Sequence, residues 1–510
     1  MQKTIISIIC FLFYFSIHTE RKVYNVSEFG ANGKDKLDDT DAIQKAIDYT
    51  SKKKVTLYVP EGIYYITAHV GHTSSTNYLR DEGGLSIKSN SHIKLHEKAI
   101  IRAVSNHKDQ YNIVRLYEVE NIVLEGGVIE GDRHTSTNTS GQWGYGLAVL
   151  GSRNIEIKNL TIKNCRGDGI NFQISEPRLI APKNVSLTNV ILDNNKRQGI
   201  SIEAGSQLYF RNCVFSNTHG LAPQSGVDME PWSPSVILED INFEKCVFKD
   251  NKSNNLLLNH DKIRNLTVQN CIFLASNSEA VSQHLYTIYD GIEAKFINNN
   301  FDKNAANILI RGSKKLTFDK NKFQNNIVVN YTQDSEAHRT ENITFINNDF
   351  SNLSLVANHR NNLIFIQHNI FKNSTIYLNN SNALVEKNTF LNNEKSKFLA
   401  ASNNTKLRLY ENTFKNGVMH AIEVFSNANI SNNFFEKVDN GILIHPNSRD
   451  IIIHQNNFSK IKHSGIYFLD ATIGKNTYLS IKDNVLNNSK LFDNSLYPNL
   501  LQSKGNQIKK

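Results

Sequence analysis

From about residue 160 onward one short phrase keeps returning: alternating apolar residues, a polar turn residue, then a small one. It runs Leu160-Thr-Ile-Lys-Asn-Cys165, Leu208-Tyr-Phe-Arg-Asn-Cys213, Ile241-Asn-Phe-Glu-Lys-Cys246 and Leu266-Thr-Val-Gln-Asn-Cys271, with Val185-Ser-Leu-Thr-Asn-Val190 between the first two. The last place then passes to Asn, at Asn299, Asn321, Asn348, Asn369, Asn388, Asn412, Asn433, Asn456 and Asn484. Steps range from 19 residues (Asn369 to Asn388) to 33 (Cys213 to Cys246). Period-two alternation predicts a short strand running into a turn in each phrase. A return every 20 to 30 residues, no long helical pattern and only 8 Pro together predict an all-β parallel β-helix solenoid.

Two residues past the ladder position stands a Phe in rung after rung, from Phe215, Phe248 and Phe273 to Phe414, Phe435 and Phe458. Stacking places these rings one above another in the core at the strand spacing of about 4.8 Å. The Asn column becomes an internal amide ladder, each side chain bonding to the next rung. Cys165, Cys213, Cys246 and Cys271 share this inward column, so they are expected to be reduced and buried rather than disulfide-bonded. On this reading 510 residues form one domain, where ordinary domains of ~150 residues would need several.

Composition narrows the class. With 39% hydrophobic residues, 21% charged, 27 Phe and 19 Tyr, the chain suits neither a multi-span membrane protein nor a disordered one. The formal charge of +9 is spread out, no Lys/Arg run being longer than Lys52, Lys53 and Lys54, which argues against nucleic acid and mildly favours an anionic polysaccharide. Met1-Gln2-Lys3 followed by the apolar run Thr4 to Ile17 predicts a signal peptide over 1–20, too short for the ~20 residues of a spanning helix. The expectation is a monomeric protein, secreted or periplasmic, without a membrane span once processed.

Ahead of the rungs, Asp39-Thr40-Asp41 opens a short helix whose Ala42, Ile43, Ala46 and Ile47 share one face. It would cap the first coil's open edge, and Val55-Thr-Leu-Tyr-Val-Pro60 would begin the sheet. The predicted layout is a cap over 21–70, site-bearing rungs over about 120–262 and scaffold rungs over about 263–490.

The segment from Val26-Ser-Glu-Phe-Gly-Ala through Asp38-Asp-Thr-Asp-Ala-Ile43, followed by Leu57-Tyr-Val-Pro-Glu-Gly-Ile-Tyr64, resembles the opening motif of the pectate-lyase-like superfamily. That group includes rhamnogalacturonases, family 28 glycoside hydrolases, epimerase-like proteins and phage tailspike depolymerases. The likeness continues through Glu125-Gly-Gly-Val-Ile-Glu-Gly-Asp-Arg133, Cys165-Arg-Gly-Asp-Gly-Ile170, Arg197-Gln-Gly-Ile200 and Gly226-Val-Asp-Met-Glu-Pro231. It implies a right-handed parallel β-helix and activity on carbohydrate. The double-Asp, His-Gly and Arg-Ile-Lys motifs of family 28 polygalacturonases and the Asp-Pro-His motif of alginate epimerases have no counterpart here, so neither activity carries over.

Aligning Ile170-Asn-Phe-Gln173, Ile200-Ser-Ile-Glu203, Val227-Asp-Met-Glu230 and Leu256-Leu-Leu-Asn259 sends Ile170, Ile200, Val227 and Leu256 inward. Two columns then face out: Asn171, Ser201, Asp228 and Leu257, and Gln173, Glu203, Glu230 and Asn259. Asp228 and Glu230 come to lie about 6.5–7 Å apart, with Glu203 about 5 Å from Glu230 and Asp168 and Arg197 at the turn leading in. Crowded carboxylates are what cleavage of a glycosidic bond needs, since proximity pushes their pKa values apart and gives one acid and one base. Asp228 and Glu230 are the expected acid/base pair, with Asp168 and Glu203 tuning or replacing them. Arg197, Arg133, Trp143, His219, Trp232 and His260 are the expected substrate-binding residues, both Trp standing in long excursions. A lyase or C5-epimerase acting on uronates, using a His base and an Arg cation, stays open, as does a non-catalytic glycan-binding solenoid. No cofactor or metal is expected, because His134, His219 and His260 lack ligand spacing.

Overall fold

The computed structural model describes residues 22–68, 83–136, 141–259 except 232 and 234, 262–274, 285–288, 292–302, 308–310, 313–324, 326–330, 340–358, 363–394, 396–469, 478–492 and 503–509. The proposed signal peptide, Trp232 and His260 lie outside them. Every pairing between named strands is parallel, and each coil contributes up to three strands, as in Lys183–Thr188, Ile191–Asp193 and Gln198–Ile202. The chain is a right-handed parallel β-helix, as expected from the repeat and the family resemblance.

Its axis is held by the amide column. The backbone N–H and side-chain Nδ2 of Asn299 both donate to Asn321 Oδ1, at 2.9 and 3.0 Å, while the same Nδ2 also reaches the Val268 carbonyl at 2.9 Å. This triplet repeats at Asn321, Asn348, Asn369, Asn388, Asn412, Asn433 and Asn456. It extends one rung past the expected end, because Asn484 N–H donates to Asn506 Oδ1 at 2.9 Å. Each buried amide thereby meets its donor and acceptor needs inside the protein. The four described cysteines are free and buried in the earlier rungs of the same column.

A second reason for the Asn excess was not drawn from the sequence. The residue just before the ladder position adopts a left-handed backbone in coil after coil: Asn164 (φ 55°), Asn212 (φ 53°), Lys245 (φ 54°), Asn298 (φ 52°), Glu411 (φ 56°) and Asp483 (φ 56°). Asn tolerates that region better than most side chains, so it recurs at the turn as well as in the core. The Phe column stacks from Phe215 to Phe458, with ring centroids from 4.4 Å (Phe350 to Phe371) to 5.0 Å (Phe215 to Phe248). Phe210 and Phe243 begin a parallel column at 4.5 Å.

At the N-terminal end a helix spans Thr40–Lys53 and buries Ile43, Ala46, Ile47, Thr50 and Ser51 in the core shared with Val26 and Leu57. Asp39 occupies the N-cap position without capping; its Oδ1 accepts from Asn32 N–H at 2.7 Å, while Asp38 Oδ1 accepts from Thr40 N–H at 3.0 Å. The sheet starts earlier than expected, since Val23–Asn25 pairs in parallel with Thr56–Val59. Among the described residues no helix is long and apolar enough to cross a membrane.

Asn388→Ala removes the acceptor of two Asn369 donors, so it is expected to lower unfolding free energy by roughly 3 kcal/mol. Lys387→Gly, at the adjacent left-handed residue, should change it by less than about 1 kcal/mol. Urea unfolding of the two variants checks both.

Candidate active site

The strands Trp143–Leu150, Ile170–Gln173, Gln198–Ile202, Ser225–Met229 and Leu256–Asn259 lie side by side. Their register puts Ala148, Asn171, Ser201, Asp228 and Leu257 in one column that faces away from the core, as the alternation required. Exposure differs from expectation. Asn171 is 0%, Ser201 2% and Asp228 1% exposed, so this outward column is an enclosed polar layer and not a solvated face. Glu230, at the end of its strand, is exposed.

Each acidic group has its own donors, and the groups act on one another through charge. Asp168 Oδ2 accepts from Arg197 Nη1 at 2.9 Å and from Ser201 Oγ at 2.7 Å. Asp228 Oδ2 accepts from Gln198 Nε2 at 2.5 Å. Glu203 accepts from Asn171 Nδ2 at 2.9 Å and Gln173 Nε2 at 2.8 Å, and Glu230 from Asn259 Nδ2 at 3.0 Å. Gln198 was missed in the sequence; its register partner is Ser225, so neighbouring strands offered no repeated carboxamide at that level to flag it.

Burial pushes the Asp228 carboxyl up to about 7, with Glu230 adding to the rise and Gln198 opposing it. Glu203 keeps some exposed surface, yet its carboxyl end is deep enough that burial, then the charge of Asp168, pushes it to about 7 as well. Asp168 is pulled up by burial and held down by Arg197, whose own pKa the pair raises. Five buried acceptors here, Asp168 Oδ1, Asn171 Oδ1, Gln173 Oε1, Gln198 Oε1 and Asp228 Oδ1, have no donor among the described residues. A layer so short of donors favours protonated carboxyls.

The expected binding residues separate into groups. Arg197 joins the carboxylates, but as the ion-pair partner of Asp168. Trp143 starts a strand instead of lying in a loop, and with Tyr117, Tyr145, Ala148 and Leu150 it forms an apolar cluster on the outer face, apart from the main core. Tyr117 was not singled out in the sequence. Arg133 Nη1 is spent on the Asn194 carbonyl and side chain, at 2.7 and 3.1 Å, which anchors its loop. The exposed His219 turns Nδ1 to the Asn217 carbonyl at 2.8 Å, at a corner away from the carboxylates' hydrogen bonds. No group of three or more His, Cys, Asp or Glu among the described residues is placed to hold a metal ion.

Both raised carboxyls bind protons more tightly folded than unfolded, where their ordinary values are 3.8 and 4.5. Their stabilising contribution is complete at acid pH and is lost as pH rises to about 7. Asp228→Asn and Glu203→Gln should therefore gain in melting temperature relative to the parent chain between pH 5 and pH 8, as calorimetry across that range would show.

A family model for rhamnogalacturonase A/epimerase, pectate lyase-like proteins matches residues 23–282, and one for a right-handed β-helix region matches residues 285–437. The uncharacterized protein YclG of Bacillus subtilis (strain 168) is 23% identical over 302 residues, 56% of this chain and 50% of that protein. Iota-carrageenase of Alteromonas macleodii is 27% identical over 254 residues, 48% of this chain and 44% of that enzyme. Among solved structures, the tailspike protein gp49 of Acinetobacter baumannii bacteriophage Fri1, a capsular polysaccharide depolymerase, aligns with a TM-score of 0.49 at 16% identity, over 74% of this chain and 64% of that one. The chain spans about half the length of the curated relatives it matches. With the first family model matching half of its residues, the chain belongs to the rhamnogalacturonase A/epimerase, pectate-lyase-like family.

Proposed function

We propose that this protein is an exported polysaccharide-degrading enzyme that hydrolyses glycosidic bonds. The observation that carries the reading is the buried Asp228, its carboxyl pushed up to about 7, on the strand Ser225–Met229, with the exposed Glu230 just past that strand's end. Asp228, about half protonated at pH 7, donates to the leaving oxygen, while Glu230 activates the attacking water. Their spacing of about 6.5–7 Å along the strand falls at the short end of the inverting range. Glu203 supplies a second protonated carboxyl on the neighbouring rung. The Asp168–Arg197 pair positions Ser201 and the floor beneath them, and the Trp143 cluster offers an aromatic face for a sugar ring.

The printed activities of the iota-carrageenase and of the capsular polysaccharide depolymerase support a glycan substrate. Elimination or epimerisation at a uronate needs a cation for the sugar carboxylate; Arg197 is already committed to Asp168 at 2.9 Å, which favours hydrolysis. Residues 1–20 act as the export signal, and the remainder works as one monomeric solenoid.

A panel of neutral and acidic polysaccharides tests this by following reducing ends and the ultraviolet absorbance of unsaturated uronides. Reducing ends without that absorbance are expected, and both together would mean a lyase. Asp228→Asn and Glu230→Gln should each lower kcat by about 10²–10⁴-fold with little change in KM. Full activity in both variants would overturn the assignment. The rate should fall as pH rises past about 7, where Asp228 gives up its proton.

A further inference from the structure

The column that holds Asp228 does not stop at the site. Its register runs through Leu257, Tyr286, Leu309, Val328, Val356, Tyr377, Ala400, Glu423 and Leu443 to Tyr467. At the strand spacing, Tyr467 lies about 48 Å from Asp228 along the same outer face. His420, Lys462, Tyr467 and Lys490 stand apart in the sequence, with no shared motif.

The structure gathers them. A cavity of about 880 Å³ opens beside Tyr467, lined by Lys462, Lys490, Lys509, His420 and His463, and no carboxylate lines it. The Tyr467 and His420 rings lie at 27° with centroids 5.8 Å apart, which makes a two-ring floor. Among the described residues no partner meets His420 Nδ1, buried there, or His445 Nε2. Glu423 is 6% exposed and is neutralised by Lys397 at 2.5 Å, and Lys462 is steadied by Asp439 at 3.5 Å. What remains at the opening is positive charge above an aromatic floor.

We propose that this cavity is a second saccharide site, which takes an anionic unit, sulfated or uronate, of a polymer running along the outer face. The lysines meet the sulfate or carboxylate, and Tyr467 and His420 receive the sugar face. This rests on reading the protein as polysaccharide-acting. A long chain would then be held at both ends of the column, and the second contact raises apparent affinity for polymer over short oligosaccharide by effective concentration.

The test uses the full chain carrying Asp228→Asn, so that ligand is not consumed, with calorimetric titration of iota-carrageenan, polygalacturonate and neutral dextran. Binding to one or both anionic polymers and not to dextran is expected, and the two anionic arms separate sulfate from carboxylate recognition. Tyr467→Ala, and Lys462→Ala with Lys490→Ala, should each weaken that binding about tenfold. These are surface changes, and circular dichroism confirms the fold. Unaltered affinity in both variants, equal binding of dextran, or no binding of either anionic polymer overturns the inference. If the parent chain cleaves none of these polymers while the variants lose binding, the site stands and the hydrolase reading falls; if cleavage occurs with binding unaltered, the reverse holds.

Discussion

The amide column is the constraint on which the rest depends. A parallel β-helix stacks backbones of unequal coil length, and something must fix where each coil restarts. Here each ladder Asn from Asn321 to Asn484 uses its Oδ1 to receive two donors from the coil before and its NH₂ group to tie back to the main chain. Coil lengths are therefore free to vary between ladder points, from the 19 residues between Asn369 and Asn388 to the 28 between Asn456 and Asn484. The outer columns inherit their straightness from this ladder, and chemistry placed on them falls into line.

Cover is the second determinant. An acidic residue facing away from a core is ordinarily solvated, yet Asp168, Asn171, Ser201 and Asp228 are sealed. Low local polarity and like charges shift two carboxyls toward neutral pH, while Glu230 stays open to solvent. The same scaffold thus sets a buried acid beside an exposed one, on a strand entered through the left-handed Gln224.

Much of this was legible in the sequence because it depends on short-range period. The strand phrase, the ladder position, the Phe stack and the first outward column, Asn171, Ser201, Asp228 and Leu257, follow from alternation and return length and agree with the observed register. What escaped depends on distance in the chain. The burial of Asp228, the Gln198 contact, the joining of Tyr117 to Trp143 and the gathering of His420 with Lys462 and Tyr467 all bring together residues from different coils. The first strand was missed for the same reason: Val23–Asn25 is recognisable only beside Thr56–Val59. Arg133 was assigned to substrate because it is basic and in a loop, and the structure uses it to hold that loop.

The cohesive column also changes its chemistry partway. Through Cys271 it is built of Cys165, Val190, Cys213, Cys246 and Cys271, with sulfur contacts such as Cys246 N–H to Cys271 Sγ at 3.4 Å; from Asn299 onward it is built of amides bonded to one another at 2.8 to 3.1 Å. The join falls just past the carboxylate-bearing coils. One continuous rod therefore has two grades of cohesion, a softer segment where a glycan would be worked on and a stiffer one that would hold its length. Substitutions that reshape the first segment need not propagate into the second, so the chemistry of the site can drift while the rod keeps its pitch.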